Sequence, residues 1–366
     1  MDVHQAGATH RDAGWELAIS RTDLAATVLR PRALPDVGAG EALLRVERVG
    51  VTANNVTYAV LGESFRYWEF FPTDAGWGLV PLWGFAEVVA SAVDGVDVGD
   101  RYYGYLPSAG HLLVQPGRVD ARGFRDASAH RRTLPSPYNT YARTGGDPAY
   151  QPQREDLQVL YRPLFWTSFM LADWIVDNDV KGAEVVVVSS ASSKTAYGAA
   201  FQLQGQHAEV VGLTSAANVA FTESLGCYDR VLAYEAIGQL SPQTTTLYVD
   251  VAGRPELTSA LRDHLGGALV HEVVVGITNQ EPGPAGTLTE TGDAMFFAPD
   301  QMRKRINDWG REELDQRFAA AWEAFAPVVE DWVEVVVHHG PKELQQVWLD
   351  VQSGSSAPRL GHVVGL

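Results

Sequence analysis

A single cysteine, Cys227, stands in a chain of 366 residues. An intrachain disulfide is therefore impossible, and so is a structural zinc site built on cysteines. Cys227 follows Gly226 after a helical stretch and reads as a small buried side chain. Positive charge is also scarce: 28 Lys and Arg face 45 Asp and Glu, a formal net charge of −17. Such a surface argues against nucleic acid and anionic membranes as partners. No eighteen apolar residues run together, and the opening MDVHQAGATHRDAGWEL lacks an apolar core of signal-peptide length. A cytoplasmic location is the expectation. The 10 histidines show no HExxH or other ligand spacing, so no metal is expected, and the adjacent His338 and His339 read as an exposed pair. No G-x-S-x-G elbow supports a serine hydrolase. What these absences leave is an enzyme for small molecules, long enough for two cores.

What is present divides into two patterns. Short strands dominate the first part: Trp15–Ile19, Leu24–Leu29, then EALLRVERVGV from Glu41 to Val51, then WGFAEVVASAV from Trp83 to Val93. Their alternation of apolar and polar residues predicts half-buried strands in a compact β-rich domain. Between them lies an aromatic block over 65–83. From about Val114 to Arg162 the periodicity weakens and arginines accumulate, with tyrosines among them. That stretch is too long for a plain connection and is expected to be a lid or binding loop. Arg131, Arg132 or Arg143 then grip an anionic group on an apolar substrate; the competing reading pairs these arginines with surface acids.

The second pattern alternates strand and helix from Leu164 to about Ile277. Four valines, Val185–Val188, read as a strand buried on both faces, and SSASSKTA follows before a helix. Further strands are expected at Ala208–Leu213, Arg230–Leu232, Thr246–Val251 and Ala268–Val275. Repeated βα units of this kind predict an α/β fold with a doubly wound parallel sheet. The turn Ser189–Ala196 aims backbone N–H groups at whatever lies over it, an arrangement suited to phosphate. It lacks the glycines of G-x-G-x-x-G. Serine and alanine leave nearly as much room, serine adds hydroxyl donors and Lys194 adds charge; the bland alternative is a capped helix start without a ligand. The second strand ends in GLTSAANVAF, with no carboxylate to hold ribose hydroxyls or repel a 2′-phosphate. NADP(H) is therefore expected over NAD(H).

The order and spacing of EALLRVERVGVTANNVTYAVLG, WGFAEVVASAVDGVDVGDRYYGY, the strand–turn–helix, LYVDVAGRPELTSAL, GGALVHEVVVG and KELQQVWLDVQSGSSAPRLGHVVGL resemble the medium-chain dehydrogenase/reductase superfamily. The similarity is to its zinc-free quinone and enoyl reductase branch, from about Glu41 onward, with a Ser/Lys-rich turn marking a divergent member. The resemblance implies a GroES-like β-rich catalytic domain at 1–162 and 300–366, its lid-like part at about 118–160, and a Rossmann-type nucleotide-binding domain at 163–299. It implies NADP(H) held by Ser190, Ser192, Ser193, Lys194, Thr195, Thr214, Ser215 and Asn218. Val251, Ala252 and Gly253 are expected at the nicotinamide ribose, and Gly276 along the ring. Lys194 is expected to supply the charge for the 2′-phosphate. Asn54 and Asn55 stand where zinc ligands would be expected. They are expected to orient a carbonyl, and Tyr58 to give the proton. The function implied is a zinc-independent, NADPH-dependent reduction of an activated C=C or C=O in an enone, enoyl thioester or quinone-like acceptor. The alternatives are a non-redox or transient-redox lyase or isomerase, or a non-catalytic NADPH-binding protein. A homodimer is implied through an edge strand near Gly267–Ile277.

Overall fold

The computed structural model describes residues 14–275 and 294–366. They form two units: residues 14–160 with 333–366, and residues 161–275 with 294–332. The first boundary falls inside the helix Glu155–Asp177.

The first unit is built on a nine-stranded sheet with Ala42–Val51 and Pro81–Ser91 at its centre. Both strands alternate as expected, and their inward residues Leu44, Val46, Val49, Ala86 and Val88 make the core. A second sheet of three strands joins Thr27–Pro31, Trp15–Ser20 and Trp77–Leu79. The C-terminal helix Pro341–Gln352 closes this core with Leu344, Val347 and Trp348, whose indole N–H donates to the Leu24 carbonyl at 2.9 Å. The stretch expected as a lid is instead part of the sheet. Pro116–Asp120, Gly123–Asp126 and Thr140–Arg143 extend it beyond Arg101–Pro107. Periodicity was weak there because these strands are only four or five residues long and are joined by 3-10 turns, too short for alternation to show.

The second unit holds a parallel sheet of six strands. In chain order they are Val185–Val188, Glu209–Thr214, Arg230–Ala233, Thr246–Asp250, Leu269–Val275 and Ala294–Phe296, here called the first to the sixth. Their spatial order is third, second, first, fourth, fifth, sixth, all neighbours parallel. The sheet order therefore reverses between the first and fourth strands, the usual place for a ligand in such sheets. The fifth strand is flanked on both sides, so the edge expected near Gly267–Ile277 belongs instead to Ala294–Phe296.

The helices Ala298–Trp309 and Arg311–Trp332 belong to this second unit, which moves the expected boundary from 299 to Trp332. The cause is aromatic packing: the Phe325 ring stacks on Phe165 at 4.5 Å, and Phe318 on Trp166 at 3.9 Å. Phe201, on the helix Lys194–Leu203 that follows the first strand, meets Phe325 at 5.2 Å. A glycine permits the close packing of that helix on Glu155–Asp177. A Cβ at Gly198 would lie 2.7 Å from Ser168 Oγ and 3.1 Å from Ser168 Cβ, and Ser168 Oγ donates to the Thr195 carbonyl at 2.8 Å. Gly198→Ala is expected to cost about 1–3 kcal/mol, read as a lower thermal midpoint. Among the described residues no helix is long and apolar enough to cross a membrane.

Candidate functional site

The turn after the first strand is the centre of the second unit's candidate site. Val185–Val188 are all buried and bring the chain to the C-terminal edge of the sheet. Ser189 follows, fully buried. Its Oγ donates to Asp250 Oδ1 at 2.9 Å and accepts from the amides of Val251 and Ala252 at 2.9 and 3.0 Å. Asp250 Oδ1 also accepts from Gly253 N at 2.9 Å. This lattice ties the ends of the first and fourth strands together. The amides of Val251, Ala252 and Gly253 are thus committed inward, so these expected cofactor residues offer a ligand their surfaces rather than these N–H groups.

Ser190 then adopts a left-handed conformation, φ 52°, where a glycine would be unstrained. Its amide donates to the Tyr234 hydroxyl at 3.2 Å. Ser193 caps the helix, its Oγ accepting from Ala196 N at 3.3 Å. The first-turn amides of that helix, Lys194 and Thr195 among them, have no acceptor within the helix. Ser192 Oγ meets Thr214 Oγ1 and Asn218 Nδ2, each at 3.3 Å. Ser190, Ser192, Ser193, Lys194 and Thr195 thus share one turn and helix start, and Ser192 joins it to Thr214 and Asn218; Ser215 stands at the start of the short turn Ala216–Asn218 and is half-buried. Burial lowers the Lys194 ammonium from 10.5 to about 8, and its Nζ lies 5.6 Å from the Tyr161 ring centroid. Hydroxyls, helix amides and an ammonium make a donor set that fits a phosphate-bearing ligand. Gly276, like Ile277 beside it, lies outside the described residues.

In the first unit, Thr52 begins the short helix Ala53–Val60. Asn55 is its capping partner: Oδ1 accepts from Thr52 N at 2.7 Å and Nδ2 donates to the Pro81 carbonyl at 2.9 Å. Its amide, 2% exposed, holds the fold and cannot also orient a carbonyl, which corrects the expectation for Asn55. Asn54 points the other way. Its Nδ2 donates to Tyr58 Oη at 2.8 Å, and Trp83 Nε1 donates to the same oxygen at 3.1 Å. Tyr58 sits among Tyr67, Tyr105 and Tyr138, with ring centroids at 4.7, 5.4 and 6.2 Å. Burial, with Tyr138 beside it, holds the Tyr58 phenol well above its usual range; Tyr67 is pushed up to about 12 by burial. Two N–H groups reach that oxygen, and the Tyr138 hydroxyl is hydrogen-bonded to it as well. Tyr58 is thus a proton-holding group at neutral pH, not a base.

The arginines expected to grip an anion are engaged internally. Arg131 is fully buried, its guanidinium on Asp126 Oδ2 at 2.6 Å and Tyr141 Oη at 2.8 Å, with Phe70 and Phe71 over it. Arg143 bonds Asp100 and Tyr102, and Arg132 the Ala127 carbonyl. The second reading, pairing with acids, holds for Arg131 and Arg143, though Arg131 does so in the core. His338 and His339 are not an equivalent exposed pair: His338 is half-buried and shares a 3.1 Å hydrogen bond with His362. Cys227 is buried, as its setting implied, and burial pushes its thiol up to about 12. Among the described residues no three His, Cys, Asp or Glu stand together as metal ligands.

Two residues escaped the sequence reading: Tyr234, the first residue after the third strand, and Arg254, just after the fourth, whose guanidinium carbon is 5.1 Å from the Tyr234 ring centroid. Their positions after strand ends were the available signal, since loops at that sheet edge carry ligand contacts.

The chain is similar over nearly its whole length to several solved structures. The structure of CurA in complex with NADPH from Vibrio vulnificus superposes with a TM-score of 0.63 at 13% identity, covering 96% of this chain and 98% of that one. The quinone oxidoreductase from Coxiella burnetii gives 0.56 at 14%, covering 97% and 100%. CurK enoyl reductase gives 0.54 at 14%, covering 97% and 99%. At such identities the likeness is one of fold: a parallel α/β sheet unit and a β-rich unit. No curated protein matches the sequence. A family model matches residues 49–357, and the chain belongs to that family, described as Protein of unknown function (DUF2855).

Proposed function

We propose that the protein is an NADPH-dependent, zinc-independent oxidoreductase that reduces an activated C=C or C=O. The observation that supports this reading most is the donor set at the sheet's switch point: Ser190, Ser192, Ser193 and Thr195 around a helix start, with Lys194 beside them and no carboxylate at the end of the second strand. Lys194 and the serine hydroxyls hold the pyrophosphate. Thr214, Ser215 and Asn218 are placed for the ribose side. When bound, the dinucleotide supplies hydride. In the first unit Tyr58 Oη holds the proton for the substrate oxygen or carbon, and Asn54 and Trp83 fix the direction of that phenol. Asn54 and Asn55 stand where the resemblance would put zinc ligands, so polarisation is assigned to hydrogen bonds.

Fluorescence titration with NADPH tests the reading, and consumption of NADPH with a panel of enones and quinones separates a reductase from a protein that only binds it. No binding at millimolar NADPH would sink both. Lys194→Ala is expected to weaken NADPH about tenfold, the effect of losing one charge-assisted contact. The pH dependence has a fixed sign. Burial lowers the Lys194 ammonium to about 8 in the unliganded protein, and bound phosphates raise that value. Above about pH 8, binding therefore takes up a proton and affinity falls as pH rises. Calorimetry in two buffers of different ionisation enthalpy reads that uptake, which the Lys194→Ala variant should lack.

A further inference from the structure

We propose that Arg254, not Lys194, distinguishes a 2′-phosphate from a 2′-hydroxyl at the nucleotide site. The inference rests on the dinucleotide reading above and names the residue that sets its cofactor preference.

Three observations carry it. The first is topological. Tyr234 follows the third strand, yet its hydroxyl accepts from Ser190 N in the turn after the first strand. The second strand lies between these two, so the tyrosine reaches across the sheet edge where the second strand ends. That edge is where a dinucleotide of this binding mode places its adenosine ribose, and here it carries Thr214, Ser215 and Asn218 without a carboxylate. Arg254 arrives from the opposite side, after the fourth strand, and stacks on Tyr234 at 5.1 Å. The tyrosine thereby carries a cation to the ribose side of the turn.

The second observation concerns charge. Arg131, Arg143, Arg262 and Arg305 each bond a carboxylate. Arg254 makes no ion pair or hydrogen bond from its guanidinium among the described residues, and it is exposed. The nearby Asp250 carboxylate is taken up by Ser189 and Gly253 N. A guanidinium stacked on a ring keeps its N–H edges available to a planar or tetrahedral oxyanion, and a phosphate is the group such an edge binds in bidentate fashion.

The third observation removes the competing cation. Lys194 lies against Tyr161 of the helix Glu155–Asp177, which packs on its own helix through Ser168 and Gly198. It is drawn toward that helix, whereas the second strand's end is reached by Ser192, Thr214 and Asn218. Its charge therefore serves the pyrophosphate, common to both dinucleotides.

Calorimetric titration of the intact protein with NADPH, NADH, 2′,5′-ADP and 5′-ADP tests this without turnover. Arg254→Ala is expected to weaken NADPH and 2′,5′-ADP about tenfold, the loss of one charge-assisted contact, and to leave NADH and 5′-ADP unchanged. Arg254→Lys should retain part of the preference, since an ammonium keeps the charge without the fork. Lys194→Ala should weaken NADPH and NADH alike, since both carry the pyrophosphate. An unchanged thermal midpoint confirms that Arg254→Ala is folded. If Arg254→Ala weakens NADPH and NADH equally, or neither, the inference is overturned while the dinucleotide reading stands. If the wild-type protein binds none of the four, the dinucleotide reading fails and this inference fails with it.

Discussion

Ser189→Ala is expected to destabilise the second unit by about 2–4 kcal/mol, seen as a lower urea midpoint. Ser189 is fully buried and its one oxygen serves three partners: it donates to Asp250 and accepts from Val251 N and Ala252 N. Alanine fills nearly the same space, so no cavity term arises. What is lost is hydrogen bonding. Two amides and one face of a buried carboxylate lose their partner, and each unsatisfied buried group costs about 1–3 kcal/mol before the loop relaxes. Asp250 keeps Gly253 N, which limits the damage. The double variant Ser189→Ala/Asp250→Ala should therefore cost less than the sum of the two single changes, because both remove one network. Additive costs would mean that the network is not a unit. The hydroxyl joins the first and fourth strands at the point where the sheet order reverses.

The second large effect concerns Tyr58. If the protein reduces an enone or quinone, Tyr58→Phe should lower kcat by about 100-fold, the lower end of what a positioned general acid contributes, with KM little changed. Phenylalanine keeps the ring contacts to Tyr67, Tyr105 and Tyr138, so the pocket walls persist. It leaves Asn54 and Trp83 without the oxygen they donate to, a modest stability loss that the thermal midpoint reports separately. The pH profile adds a check. Burial raises the Tyr58 phenol above its usual value of 10.0, so the acid form persists through that value, and no loss of kcat centred near pH 10 should come from this residue. A rise in KM with kcat unchanged would reduce Tyr58 to a binding contact.

Much of the fold was legible because periodicity reports local burial. Val185–Val188, buried on both sides, and the half-buried alternation of Ala42–Val51 are properties of single strands. The cradle was partly legible as well, since a polar turn between such a strand and a helix brings its own residues together. Asn55 was misread because capping and substrate binding use the same amide, and only the positions of Thr52 N and the Pro81 carbonyl show which partner holds it. The core position of Arg131 was not legible because arginine is usually exposed. Asp126 and Tyr141 meet it through strand pairing that no local pattern encodes.

The sequence by itself determined the two-pattern architecture, the parallel sheet, the serine–lysine turn and the missing carboxylate after the second strand. These follow from residue type and short-range order. Tertiary structure alone decided that Ser189 locks two strands, that the 118–160 stretch is sheet rather than lid, and that Arg254 stands beside Tyr234. Each of these joins residues that are distant in the chain or separated by a strand crossover. Such contacts are set by sheet order and packing, which act on the folded chain and leave no periodic trace in the sequence.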